Sequence, residues 1–171
     1  MTHSSSRHLL IEPSSPRDFD FFVGNWLVHH RRLKGRLVGS SEWEAFDGQC
    51  ACHKILGGFG NIDDNILYLP AGTYRAATLR SSDESLRKWS IWWLDARSPS
   101  ALDVPVVGAF ENGTGTFLAN DSLEGKPIVV RFLWLQSADG KPRWEQAFSP
   151  DDGKTWETNW TMEFTPLVES A

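Results

Sequence analysis

The side chains able to do chemistry in this chain gather on a few stretches, and the clearest is residues 25–34. If Trp26 points to one face there, a period of two sends Val28, His30 and Arg32 with it and turns Leu27, His29 and Arg31 away. A connection centred near Leu37 then predicts that His30 faces Glu44 and Arg32 faces Glu42 on the returning strand. A His–Glu pair can pass a proton, and a buried charged patch can orient a polar ligand. The same residues also suit an ordinary salt-bridged sheet surface, and a one-residue slip turns Trp43 and Ala45 inward instead. Arg131 sits among Val129, Phe132, Leu133 and Trp134, so its stem crosses apolar surroundings and its guanidinium needs a partner. Asp95 or Glu145 would serve, and so would the carboxylate of a ligand. Gln146 shares a face with Trp144 and Phe148 and needs a polar partner of its own.

Other groups are arranged for less. In Cys50-Ala51-Cys52-His53 the two thiols share a strand face, His53 points away, and no second Cys pair completes a tetrahedral zinc site. Gly57-Gly58-Phe59-Gly60 lacks the Lys-Ser/Thr and the helix of a phosphate loop and reads as a flexible rim or strand bend. Residues 61–65, Asn-Ile-Asp-Asp-Asn, offer oxygens to a surface Ca2+ but read more simply as a solvated turn. No Gly-x-Ser-x-Gly occurs, and no Ser or Cys is tied to a His. The expectation is therefore no metal and no cofactor.

The elements that must position these residues are strands. A short helical turn is expected over residues 16–23, from Pro16 to the Gly24 stop, with Phe19, Phe22 and Val23 on one face. Beyond it no window of ten residues keeps a 3.6 period. Alternation and aromatic enrichment mark strands at 25–34, 41–49, 52–56, 66–69, 74–80, 88–95, 108–110, 116–122, 128–136, 143–149 and 157–165. Short Gly- and Asp-rich turns between them favour neighbour pairing, and a meander of about ten strands avoids two open edges by closing. The expectation is an all-β, antiparallel up-and-down barrel forming one domain over 15–167, preceded by a mobile leader over 1–14.

Composition narrows the function. The 171 residues include nine Trp, ten Phe and two Tyr, which require a deep core or a lined cavity. Trp89, Ile91 and Trp93 share one face while Trp92 and Leu94 share the other; with Trp144, Trp160, Met162 and Phe164 they either fill the barrel or line it. A net charge of -5, with no cationic run longer than Arg31-Arg32, argues against nucleic-acid and anionic-membrane surfaces. Two cysteines at i and i+2 make no disulfide scaffold, and no apolar run approaches the length of a secretory or membrane-spanning segment, so a cytoplasmic location is expected.

Gly24-Asn25-Trp26, preceded by a Phe-rich turn, resembles the Gly-x-Trp motif of lipocalin-like (calycin) barrels. Together with Asp18-Phe19-Asp20-Phe21, the strand Arg131-Phe132-x-Trp134 and Trp144-Glu145-Gln146-Ala147-Phe148-Ser149, it makes residues 16–165 similar to a bacterial family of uncharacterised lipocalin-like proteins. Residues 149–156, Ser-Pro-Asp-Asp-Gly-Lys-Thr-Trp, resemble the Asp-box hairpin; a single copy cannot build a propeller and reads as a capped turn. The lipocalin-like resemblance implies a barrel whose turn closes one end, with the Trp packed beneath, and an interior cavity. It brings no reaction and no catalytic set. Nitrobindin, a haem-binding barrel, carries its axial His late in the chain, and here no His follows His53.

Three functions follow as expectations. The first is binding of a small apolar or amphipathic molecule in an aromatic-lined cavity, with His30, Arg32, Glu44, Trp93, Arg131, Trp144 and Gln146 as the ligand-binding set. The second is a cyclase- or isomerase-type enzyme with His30 and Glu44 as acid and base. The third is a barrel plugged by its own rings that meets a protein partner, or forms a homodimer, through an exposed edge or face.

Overall fold

The computed structural model describes residues 16–168, apart from residue 137, so the leader expected over 1–14 lies outside the described residues. Ten strands follow in chain order: β1 (Gly24–Leu33), β2 (Trp43–Ile55), β3 (Gly60–Leu69), β4 (Gly72–Asp83), β5 (Lys88–Asp95), β6 (Val106–Glu111), β7 (Thr114–Leu123), β8 (Lys126–Gln136), β9 (Pro142–Ser149) and β10 (Glu157–Pro166). Each pairs antiparallel with its chain neighbours, and β1 also pairs with β10 from Trp26↔Pro166 to Arg32↔Trp160. The sheet is thus a closed up-and-down barrel, which leaves no edge strand with unpaired backbone groups. No helix among the described residues is long and apolar enough to cross a membrane.

Two stretches depart from the expected strand map. Residues 41–49 and 52–56 are not separate strands but lie on the single strand β2, because Cys50 and Ala51 continue its alternation, with Cys50 and Cys52 buried and Ala51 exposed. Residues 61–65 are not a solvated turn but the first half of β3. Asn61, Asp63 and Asn65 face the interior and are buried, while Ile62 and Ile66 are half-buried on the other side. This strand is polar inside because its polar groups have a buried partner, Arg80 of β4.

The β1–β2 register also differs from expectation. His30 lies opposite Phe46, and Arg32 opposite Glu44, two residues from the pairing implied by a turn at Leu37. The connection is longer on the β2 side: the last ladder-like bond runs from Lys34 N to Glu42 O at 2.9 Å. A shift of two preserves parity, so Trp26, Val28 and His30 are buried and Leu27, His29 and Arg31 exposed.

One end of the barrel is sealed. A 3₁₀ turn at Asp20–Phe22 lies across it, and Trp26 donates its indole N–H to Phe22 O at 2.9 Å while stacking on the Phe22 ring, 5.8 Å away and 6° from parallel. Phe22 meets Trp134 and Phe164 at 4.6 and 4.9 Å, and Phe19 meets Trp89 and Phe110 at 5.0 and 4.9 Å, edge to face. Trp89 Nε1 ties the turn to β5 through Asp18 at 3.0 Å. Phe132, Trp93, Trp144, Phe148 and Trp160 line the cavity above this floor.

Candidate functional site: the barrel cavity

Above the floor the barrel is hollow. A cavity of about 240 Å³ runs from Phe22, Trp134 and Phe164 up to Arg32, Arg36, Tyr74, Asp95, Arg97, Asp103 and Asp121 at the opposite end. Its middle is a sleeve of rings from β5, β8, β9 and β10. Trp160 stands edge-on to Trp93 at 5.8 Å and to Trp144 at 5.6 Å, and Phe132 meets Trp144 at 4.8 Å. Each ring is braced edge to face by the next. Val130, Ile91 and Met162 complete the apolar lining, and Gln146 contributes the one amide at this level. Gln146 Nε2 donates to Asn159 Oδ1 at 2.8 Å, which fixes the amide through a residue behind the wall at the β10 bulge.

Below the sleeve lies a polar cluster that sequence reasoning missed. Arg80 is 2% exposed; its Nη1 donates to Asn61 Oδ1 at 2.8 Å and to Asp63 Oδ2 at 2.6 Å. Asn65 Nδ2 and Thr78 N donate to the other Asp63 oxygen. The guanidinium also lies 5.1 to 5.3 Å from the rings of Phe19, Phe22 and Trp134. Opposite charges cancel at the cavity floor, and the aromatic faces hold what remains of the cation. A signal did exist in the sequence: Asn61, Asp63 and Asn65 recur at i, i+2, i+4, the period of a strand face.

The sequence-derived site residues separate into three groups. Arg32, Trp93, Trp144 and Gln146 line the cavity. His30 and Glu44 sit beside it without meeting. The His30 ring stacks on Phe46, 4.7 Å apart and 12° from parallel, and its Nδ1 accepts the Trp160 indole N–H at 3.2 Å. Burial, reinforced by the charge of Arg32, pushes the His30 pKa down to about 3, so the ring is neutral. Gly48 exists to make room for it: a Cβ there would stand 2.8 Å from His30 Nε2 and 2.5 Å from Ile66 O. Glu44 turns to Arg32 instead, at 3.6 Å. The expected His30–Glu44 pair is therefore absent, and with it the acid–base geometry drawn from it.

Arg131 is on the outer face. Ile128, Val130, Phe132 and Trp134 take the interior of β8, which sends Arg131 outward with its Cζ 4.3 Å from the centre of the Trp156 ring. Neither Asp95 nor Glu145 pairs with it: Asp95 binds Arg97 and Glu145 binds Arg143. Trp156 belongs to the tight β9–β10 turn, where Ser149 Oγ accepts from Gly153 N at 2.8 Å and Asp151 Oδ1 from Thr155 N at 2.8 Å. Thus the guanidinium stacks on a turn rather than entering the cavity.

The mouth is electrically two-sided. On the β1–β2 side, Arg32 spreads its guanidinium 5.3 Å from the rings of both Phe46 and Trp160, and its Nη1 donates to Tyr74 Oη at 3.3 Å. Arg36, half-buried in the β1–β2 connection, lies 5.5 Å over the Phe148 ring. Asp95 and Arg97 form a bidentate pair with a shortest distance of 2.6 Å. Across the mouth, on the β5–β7 side, stand Asp103 and Asp121. Burial at the rim, then the charges of Asp121 and Asp95, push the Asp103 carboxyl above its ordinary range. Compared with models of known protein families and with curated proteins, the chain matches none. What the site can do is therefore read from its geometry: it can enclose flat apolar surface, and it offers opposite charges at its rim.

Proposed function

We propose that this protein is a lipocalin-like binding barrel that holds a compact amphipathic molecule, of one or two rings, in its aromatic sleeve. The observation that carries the reading is the hollow between sealed floor and open rim, walled by mutually braced Trp and Phe rings. Size sets the class. A void of roughly 150 Å³ takes a single benzene ring, and drug-sized sites begin at about 300 Å³. At about 240 Å³ the cavity suits a bicyclic ligand and is too small to enclose haem or an extended acyl chain whole. Burial of apolar area supplies the affinity, at roughly 25 cal/mol per Å², and the rim groups choose the orientation. Buried free thiols at Cys50 and Cys52, the first raised far above and the second to about 12 by desolvation, support placement in a reducing cytoplasm.

The test is a titration of tryptophan fluorescence with benzoate, naphthoate, palmitate and haem. Trp93, Trp144 and Trp160 stand in the wall, so a ligand in the sleeve quenches emission saturably at one site per chain. The naphthalene ring is expected to bind best, and palmitate and haem not to saturate. Failure of every ring compound, or tightest binding by palmitate, would overturn the reading.

A further inference from the structure

Three arginines reach the cavity rim, and they differ in what they are already holding. Arg97 is committed to Asp95 through two nitrogens, at 2.6 to 3.2 Å. Arg32 has Glu44 at 3.6 Å, too long for a good hydrogen bond, and a neutral phenol at 3.3 Å. Arg36 has neither hydrogen bond nor ion pair among the described residues, though it is half-buried and lines the cavity. The nearest acid in its own neighbourhood, Glu157, is occupied: its Oε1 accepts the Leu37 backbone N–H at 2.7 Å. The Phe148 face and the charge of Glu157 support the Arg36 cation, while desolvation, then the charge of Arg32, lowers its pKa from the ordinary arginine value. A guanidinium that is partly withdrawn from water, faces a cavity and gives none of its five donors to a described protein group can receive an acceptor.

The charge on that acceptor follows from the two ends of the cavity. At the floor Arg80 is neutralised by Asp63 at 2.6 Å, so a second anion there would leave a net buried negative charge. At the rim, on the β1–β2 side, Arg32 has Glu44 at 3.6 Å and Arg36 feels the charge of Glu157, whose Oε1 is turned to the Leu37 N–H, so among the described residues no carboxylate oxygen bonds the Arg36 nitrogens. The opposite rim, with Asp103 and Asp121, repels an anion and so confines it to the arginine side. Arg36 and Arg32 lie above the ring sleeve, with the Phe148 and Trp160 faces beneath their guanidinium groups. A flat ring in the sleeve would therefore carry its substituent toward them.

We infer that the ligand is a planar aromatic carboxylate, bound ring-down, whose carboxylate docks on Arg36 with Arg32 as the second donor. The inference rests on the cavity being a binding chamber and adds to it the ligand's charge and direction. Among the described residues Arg36 holds no hydrogen bond or ion pair and packs on the Phe148 face, and a retained thermal midpoint checks that its variants remain folded.

The experiment compares naphthoate with its uncharged isostere naphthamide in calorimetric titrations of the full chain and of Arg36→Gln and Arg36→Lys. The account expects naphthoate to bind the natural chain about ten- to hundredfold more tightly than naphthamide, the range of a charge-assisted hydrogen bond. In Arg36→Gln that ratio should collapse toward one, with naphthoate losing far more affinity than naphthamide, and Arg36→Lys should restore part of it. Equal binding of the two compounds by the natural chain, or a ratio untouched by Arg36→Gln, would overturn the inference while leaving the chamber intact. Binding of neither would remove the chamber itself, and the inference with it.

Discussion

His30 shows how little a residue type says about its task until its neighbours are known. A histidine two positions from an arginine and across from acidic residues reads as a proton carrier, yet here it is a buried neutral acceptor for the Trp160 indole, stacked on Phe46. Its depressed pKa has a consequence for stability. Between about pH 6.5 and pH 3 the unfolded chain binds a proton that the folded imidazole refuses, so stability attributable to His30 is intact above that window and falls as pH drops through it. The slope from this one group is up to about 1.4 kcal/mol per pH unit. Chemical unfolding of His30→Gln across pH 7 to 4 should show a shallower decline than the natural chain; parallel profiles would mean that the ring is protonated in the fold. The Asp63–Arg80 pair makes a second prediction at this scale. Asp63→Ala should cost about 3–5 kcal/mol by stranding a buried cation, and Asp63→Leu with Arg80→Met should recover much of that loss. A small cost for Asp63→Ala in urea unfolding would show that the aromatic faces alone satisfy Arg80.

Among the elements, alternation was the most readable feature, and it failed for identifiable reasons. Strand β1 has one polar and one apolar face near its start, so parity follows from Trp26, and an error of two in the turn left every side chain on its correct side. Strand β8 is apolar on both faces because Trp156 covers part of its exterior, so alternation could not tell whether Arg131 or Phe132 faced inward. Strand β3 inverts the usual rule, with its polar residues inside; a single-strand pattern cannot reveal that the compensating cation sits on the next strand. The sleeve of the site was thus legible in Trp93, Trp144 and Gln146, whereas Arg36 and Arg80 depend on contacts far apart in sequence. The floor yields the prediction for this scale. Trp26→Ala removes the ring that stacks on Phe22 and the indole N–H that bonds its carbonyl, and should cost about 3–5 kcal/mol. An unchanged denaturation midpoint would mean that the 3₁₀ turn is not what seals the barrel.

At the level of the whole molecule, closure and partial filling together define the cavity. Ten strands enclose more volume than their own side chains fill, and the buried rings divide between a plug at one end and a wall above it. The plug seals the floor and leaves the wall standing around a void, while the open end carries Arg32 and Arg36 on the β1–β2 side, Asp103 and Asp121 on the β5–β7 side, and the Asp95–Arg97 pair. On the proposed reading this division sets the size, flatness and direction of the ligand. The most direct measurement is the crystal structure of the protein with naphthoate. The account predicts one molecule per chain, its rings between Trp93, Trp144 and Trp160 and its carboxylate on Arg36. A naphthoate on the outer surface, with the sleeve collapsed onto itself, would contradict it.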